Sequence, residues 1–440
     1  MTTSISSSSP LLPAHLLLLL PSLISAACRT SADCSLNGDC VSGVCACDAA
    51  WSSSPACDVL AVLPADPNAY HSASNASWGG NVVCDGNGTY HLFVAQMVNE
   101  CGLESWGSNS AIVRAEGPTP AGPFSYKQTV RAHFGHNPTI RRLPDGGGFV
   151  IYFIGGGGDP TKPTSTAKDC RRNASGGAGG AGGAGGAIGT GGATTAPIGA
   201  TRETASSSST DSTSGARGLV GGAIHVIYSA SLRGPWSNAT QVKFDDGNST
   251  AWNGGGSNPS PHIGPDGTVT LALQRQFTAN KGKELIGVAR AASWRGPFTM
   301  ITTAPIEPEK FYCVAGTGED PFLWKTRRGW HILWHGMCPT GFLQAHYAFS
   351  PDAVTWTVSP KQTYGYLTKF TDGSSKLLAR VERPQLYFPG PFNDTVAPPT
   401  HLYNGACTGG SVTKIYRCLE LPSDGKGSIM TWTLVRPLKG

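Results

Sequence analysis

From Trp78 onward the chain repeats one pattern of polar and apolar positions five times. A polar residue, usually followed by proline, opens a short apolar run. A turn, glycine-containing in every copy, follows, and a second apolar run closes the phrase. The copies read WGGNVVCDGNGTYHLFVA from Trp78, HNPTIRRLPDGGGFVIYFI from His136, SNPSPHIGPDGTVTLALQR from Ser257, EDPFLWKTRRGWHILWH from Glu319 and ERPQLYFPGPFNDTVAPPTHLY from Glu382. β-Branched and aromatic runs bounded by such turns predict two paired strands in each copy. A second phrase follows each first one: AIVRAEGPTPAGPFSY, HVIYSASLRGPWSN, GVARAASWRGPFTM, HYAFSPDAVTWTV and IYRCLELPSDGKGSIMTWTLV. Each of these predicts one strand, a turn and a closing strand.

The spacing turns the repeat into an architecture. The anchors Asn81, Asn137, Asn258, Asp320 and Arg383 are 56, 121, 62 and 63 residues apart. The long interval contains a Gly/Ala/Ser/Thr-rich tract, residues 156–218. Without those 63 residues the interval is 58. Five units of four strands predict an all-β fold, a five-bladed β-propeller over residues 65–440. A pair of β-sandwiches is the alternative, but sandwiches do not repeat one phrase five times. The 156–218 tract offers almost no apolar surface to bury and is expected to be a disordered insertion in blade two.

Strand parity places the loops. In an antiparallel blade the start of strand one and the turn between strands two and three share a face. That face gathers the five anchor phrases, the turn Glu100–Trp106 and the turn beginning at His335. The mouth of the central channel on that face is the expected pocket.

The first 58 residues are organised differently. Leu11 to Ile24 is an apolar run followed by Ser25-Ala26-Ala27. This reads as a secretory signal over residues 1–27; an uncleaved anchor is the alternative, against which Pro13 and Pro21 interrupt the run. Six Asn-X-Ser/Thr sequons, at Asn75, Asn87, Asn173, Asn238, Asn248 and Asn393, agree with a secreted glycoprotein. The C-terminus shows no apolar tail of the lipid-anchor kind. Six of the 13 cysteines fall between Cys28 and Cys57. A segment that short cannot bury a core, so disulfides must hold it. Elsewhere, Cys101 and Cys170 sit in matching turns of adjacent blades. Cys313 can reach Cys338, Cys407 and Cys418 flank a hairpin, and Cys84 is left as the odd thiol.

Composition narrows the function. Only 14% of residues are charged and the net charge is +5 without a Lys/Arg cluster, which argues against nucleic acid. After residue 30 no apolar stretch is long enough to span a membrane. No Gly-x-Ser-x-Gly, phosphate-cradling loop or His-rich metal spacing occurs, and the GGAGGAGGAGG tract lacks the Lys-Ser/Thr end of a nucleotide loop.

Two resemblances add to this. The spacing C-x5-C-x5-C-x4-C-x-C-x9-C over residues 28–58, with Asn37-Gly38 and Trp51, resembles an epidermal-growth-factor-like module. The resemblance implies the pairs Cys28–Cys40, Cys34–Cys45 and Cys47–Cys57, and a protein partner for the module. It carries no calcium signature. The propeller, with its Asn/Asp-Pro starts and Glu319-Asp320-Pro321, resembles glycoside hydrolase family 43 within the arabinanase, levansucrase and invertase superfamily. That family places an Asp base at the start of blade one, an Asp that tunes the acid in blade three and a Glu acid in blade four.

The resemblance implies Glu319 as general acid, Asn81 at the base position and Asn258 at the tuning position. Both amides are substitutions, since an amide cannot take a proton at neutral pH. Glu319 could instead only cap backbone amides. Glu100, Glu104, Asp320 and Glu382 are substitute carboxylates. Trp78, Trp252 and Trp106 are candidates to stack on sugar, with Trp78 and Trp252 preferred. Asn137, His136, Arg275, His335 and Arg383 are candidates to bind hydroxyls. The histidines and Arg275 could also hold an ion or water in the channel; no other cofactor is expected. Two functions follow. One is a secreted hydrolase-like protein acting on or binding arabinose-, xylose- or galactose-type polysaccharide. The other is a non-catalytic propeller that binds glycan or protein outside the cell.

Overall fold

In the computed structural model the described residues are 28–52, 55–72, 74–171, 223–245, 251–280, 283–307, 318–336, 345–390, 397–408, 420–421, 428–429 and 431–440. The expected leader and the expected Cys313–Cys338 bridge lie outside them.

Five four-stranded antiparallel sheets form the five blades of a propeller. Blade one runs Ser77–Cys84, Tyr90–Met97, Ser110–Gly117 and Ser125–Arg131 from the channel outward. Blade two begins at Gly135–Arg142, blade three at Trp252–Ile263 and blade four at Gly318–Thr326. The second strand of each blade is sandwiched between neighbouring blades, which explains its continuous apolar spelling. Phe149–Gly155 (FVIYFIG) and Gly329–Gly336 (GWHILWHG) are buried at every position. Leu92, Phe93, Val94, Ile151, Leu271, Ile332 and Leu333 are fully shielded from water. Their clusters lie between adjacent blades, joining them around the ring.

Blade five departs from the expected strand order. Trp432–Pro437 pairs directly with His401–Thr408, so it is the third strand and not the fourth. The outer edge is supplied by the chain just before blade one. Val62 bridges Leu438, the Leu63 amide donates to the Pro437 carbonyl at 2.8 Å, and Tyr70 bridges Thr433. Joining the two ends of the propeller covers an edge that would otherwise expose unpaired backbone groups.

The cysteine-rich segment carries the expected pairs Cys28–Cys40, Cys34–Cys45 and Cys47–Cys57. It is no free appendage. Trp51 stacks on Trp324 of blade four (ring centroids 6.4 Å) and against Tyr347. The Asn37 amide donates to the Tyr347 hydroxyl at 2.8 Å, and that hydroxyl donates to the Ser35 carbonyl at 2.7 Å. Arg328 lies between Asp39 and Asp48, and Ser359 donates to the buried Asp58. The module expected to meet a protein partner thus spends Asn37, Asp39, Asp48, Trp51 and Asp58 on contacts with blade four.

The Gly-rich insertion also differs from expectation at its start. Residues 156–171 are held in place; residues 172–218 lie outside the described residues. The buried Arg131 guanidinium collects the carbonyls of Asp159, Lys162 and Gly156 at 2.8–3.1 Å. Asn109 exchanges two hydrogen bonds with Lys168, and Cys170 is bonded to Cys101. These sixteen residues escape the composition argument because their backbone is anchored by side chains of blade one. Among the described residues Cys84 is the free thiol. Cys407 is disulfide-bonded; its expected partner, Cys418, lies outside the described residues.

Candidate active site at the mouth of the channel

Every inner strand carries the same irregularity near its start. The pairing register skips two residues between Trp78 and Asn81, His136 and Thr139, Ser257 and Ser260, Glu319 and Phe322, and Glu382 and Gln385. The first skipped residue has positive φ in all five blades: Gly79 (+68°), Asn137 (+52°), Asn258 (+50°), Asp320 (+53°) and Arg383 (+50°). The second is Gly80 or a proline, which has no amide to lose at a bulge. The bulge re-aims consecutive side chains, so two rings of residues result.

The bulge residues form an axial ring. The Asn137 amide donates to Asn258 Oδ1 (2.9 Å) and Asp320 Oδ1 (2.8 Å). Arg383 donates to Asp320 Oδ1 at 3.0 Å and to the Pro138 carbonyl at 3.1 Å. Asn258 donates to Gln274. Four blades are thereby tied together by buried side chains meeting on the axis. Blade one contributes Gly79, and a Cβ there would meet Arg383 Cδ at 2.5 Å. The Arg383 stem fills the place a side chain would take.

One residue earlier in each strand lies the mouth ring: Trp78, His136, Ser257, Glu319 and Glu382. Glu319 has a third of its side chain exposed. Burial of its carboxyl, and then the negative charges of Asp320, Glu382 and Glu284, push its pKa up to about 8. It therefore carries a proton at neutral pH. His335, on the neighbouring strand, accepts a hydrogen bond at Nδ1 from the Arg383 amide (3.3 Å), which leaves the proton on Nε2. That nitrogen lies 3.9 Å from Glu319 Oε2 and 3.6 Å from Glu382 Oε2. Burial pulls the His335 pKa down to about 4, so the imidazole is neutral. Glu382 has Arg380 Nε at 3.8 Å. Ser257 donates to Glu284, whose carboxyl is pushed up by burial. On the blade-two side Trp106 lies over His136 (5.0 Å between rings), and His136 Nδ1 bonds the Ser110 hydroxyl at 2.8 Å. The site thus offers a protonated carboxyl, two further carboxyl groups, a neutral imidazole N–H and a partly exposed indole.

No protein-family profile matches the sequence, and no curated protein is similar to it. Solved structures are similar in fold. A family 117 glycoside hydrolase, Zg3597 of the marine bacterium Zobellia galactanivorans, superposes with a TM-score of 0.50 at 12% identity, over 86% of this chain and 89% of that one. The catalytic domain of the Coprinopsis cinerea family 62 α-L-arabinofuranosidase gives 0.48 at 10% identity, over 89% and 97%. A thermostable family 43 glycoside hydrolase gives 0.44 at 12% identity, over 86% and 96%. The likeness to Zg3597 shows the fold alone, a five-bladed β-propeller.

Within the propeller the expected site residues separate into three groups. On the mouth face Glu319 lies beside His335, and Trp106 beside His136. Asn137, Asn258 and Arg383 belong to the axial ring, where their polar atoms are used on one another. Asn81 falls outside both rings. Gly79 is the residue equivalent to Asn137, Asn258, Asp320 and Arg383, so the alignment on Asn81 was shifted by two. Asn81 sits farther down the channel and accepts from the Ile140 amide (3.0 Å) and Arg141 (3.2 Å). Trp78 and Trp252 do not present a stacking face. Trp78 is packed in the apolar cluster of Ala95, Met97 and Leu103, tight against Gly405, and Trp252 donates to the Thr302 carbonyl at 2.7 Å beneath Phe277. Arg275 turns away from the channel, to the Gly254 carbonyl and over the Phe244 ring. Glu100 and Glu104 are exposed on their turn. Glu284, Ser257 and Arg380 went unassigned in the sequence, although parity puts the turn before Glu284 on the mouth face.

Proposed function

We propose that the chain is a secreted glycoside-hydrolase-like protein that binds arabinose-, xylose- or galactose-type polysaccharide at the Glu319 mouth. The carrying observation is the Glu319 carboxyl where the propeller opens, a third exposed, with His335 Nε2 at 3.9 Å and its pKa pushed up by burial and by the neighbouring carboxyls. Such a group can give its proton to a leaving glycosidic oxygen as the carbon–oxygen bond breaks. Water then adds to the anomeric carbon, and its proton needs a carboxylate. The equivalent position in blade one, Gly79, supplies none. Of the remaining mouth carboxyls, burial favours the neutral form of Glu284, whereas Glu382 has the Arg380 cation alongside. Glu382 is therefore assigned the base. His335 Nε2–H, between the two, fixes a sugar hydroxyl or the attacking water, and Trp106 stacks on a sugar ring.

Secretion is supported by the apolar run at residues 11–24 and by the disulfides. No metal is needed by this chemistry.

The axial ring favours a second reading, a propeller that binds glycan without cleaving it. Its blade-one and blade-three positions are Gly79 and Asn258, and its single carboxylate, Asp320, is buried against Arg383. A hydrolysis screen on arabinosides, xylosides and galactosides, paired with a glycan array, separates the two. Under the first reading Glu319→Gln retains binding and loses hydrolysis by about 10²-fold or more. Binding with no hydrolysis by the wild-type protein establishes the second. Hydrolysis that survives Glu319→Gln refutes the assignment of the acid.

A further inference from the structure

The opposite end of the channel has different chemistry. Beyond the axial ring lies a cavity of about 70 Å³ whose lining includes Asn81, Arg141, Arg142, His262, Phe322 and Phe388. Among the described residues no Asp or Glu lines it. Arg141 is 6% exposed. Its Nε donates to the Pro261 carbonyl at 2.7 Å, and one terminal nitrogen donates to Asn81 Oδ1 (3.2 Å) and the Ile140 carbonyl (2.8 Å). The guanidinium lies 5.4 Å from the Phe322 ring centroid.

Among the described residues no carboxylate pairs with Arg141. Arg131 and Arg436 are also buried without a carboxylate, but both terminal nitrogens of each donate to protein oxygens, whereas among the described residues only one terminal nitrogen of Arg141 does. Burial is the sole cause that pulls its pKa down, to about 9. An unpaired buried charge is costly, and a counterion relieves that cost.

The approach is also cationic. The cavity shares His262, Trp324 and Phe388 with a larger cleft of about 950 Å³ beside the cysteine-rich segment. That cleft adds Arg290 and Lys325 against Asp266, and also Arg327 and Arg328, which are paired with Asp39 and Asp48. His262 is neutral, pulled down to about 3 by burial and by the charges of Arg141 and Lys325, and offers an N–H.

We propose that this cavity binds a small monovalent anion, held by the Arg141 guanidinium and entering from the face that carries the cysteine-rich segment. Water takes roughly 30 Å³ in the liquid. The space is large enough for a halide or a single carboxylate group. The anion is either a free ion or the acid group of a uronic-acid saccharide whose ring rests in the outer cleft. This site stands independently of the reading of the Glu319 mouth.

Bromide is the probe. Wild-type crystals soaked in bromide should show an anomalous peak in contact with the Arg141 guanidinium. In solution, bromide should raise the melting temperature saturably, by about 2–4 °C, over an equal ionic strength of a bulky sulfonate salt. Asn81→Asp places a carboxylate beside Arg141 and should abolish both signals, as should Arg141→Met. Galacturonate that displaces the bromide identifies the saccharide acid as the source; bromide that stays identifies the free ion. Absence of the wild-type peak overturns the proposal, whether or not the variants fold. So does an equal bromide response in wild type and Asn81→Asp.

Discussion

Two rings of side chains, one residue apart along the same five strands, divide the work of this propeller. The axial ring is closed on itself. Asn137, Asn258, Asp320 and Arg383 are buried, and the bonds among them tie blades two to five. The mouth ring one position earlier is chemically uneven, with an indole, an imidazole, a hydroxyl and two carboxyls. The repeated sequence feature, a polar residue before proline, therefore marks the structural ring. The chemistry sits at the preceding position, where the five copies differ most. A bulge makes this possible because consecutive residues can then serve the axis and the mouth separately.

The comparison breaks first at Arg383. Arg383→Met leaves Asp320 buried without its cation and should cost about 3–5 kcal/mol in chemical denaturation. Adding Asp320→Asn should recover part of that loss. Recovery is the informative result, because a merely packed arginine would show none. Next is Gly79→Ala. The residue has φ of +68° and its Cβ would press on the Arg383 stem, so a loss of about 1–3 kcal/mol is expected. A neutral result would remove Gly79 from the axial ring. Smallest is Asn81→Asp. If Asn81 stood at a base position, this change would raise hydrolysis; lying beside Arg141, it should not. Initial rates on the best substrate from the screen decide this.

Much of the fold could be read from the chain, and the site only in part. The five-fold phrase, the four-strand blades and the three N-terminal disulfides are all in the structure. Blade one misled the alignment because Gly79-Gly80 stands where the other copies have a polar residue and proline. Asn81 is the nearest amide and displaces the apparent anchor by two positions. The spacing held the correction: Gly79 is 58 residues from Asn137, the interval that remains between Asn137 and Asn258 once the insertion is removed. Trp78 and Trp252 stand beside glycines in the sequence, yet their indoles pack against glycines of neighbouring strands, Gly405 and Gly287. The edge strand of blade five could not be read, since it joins residues 62–70 to the far end of the chain. The docking of the cysteine-rich segment was equally hidden, because it rests on contacts such as Asn37 with Tyr347, 310 residues apart. Long-range pairs of that kind leave no local pattern.

The difference between the rings also has a pH signature. The Glu319 carboxyl is raised from an ordinary 4.5 to about 8, so between those values the folded chain holds a proton that the unfolded chain has released. Its contribution to stability falls as pH rises through that window, and Glu319→Gln should remove this part of the slope.

The most direct test is the protonation state of Glu319 itself. Infrared difference spectra between wild type and Glu319→Gln, recorded from pH 5 to 10, report the carboxylic-acid carbonyl band of this one group. The account predicts a band present at pH 7 that disappears with a midpoint about 8. A midpoint about 4.5, with the carboxylate already formed at pH 7, would contradict it and leave the mouth without its proton donor.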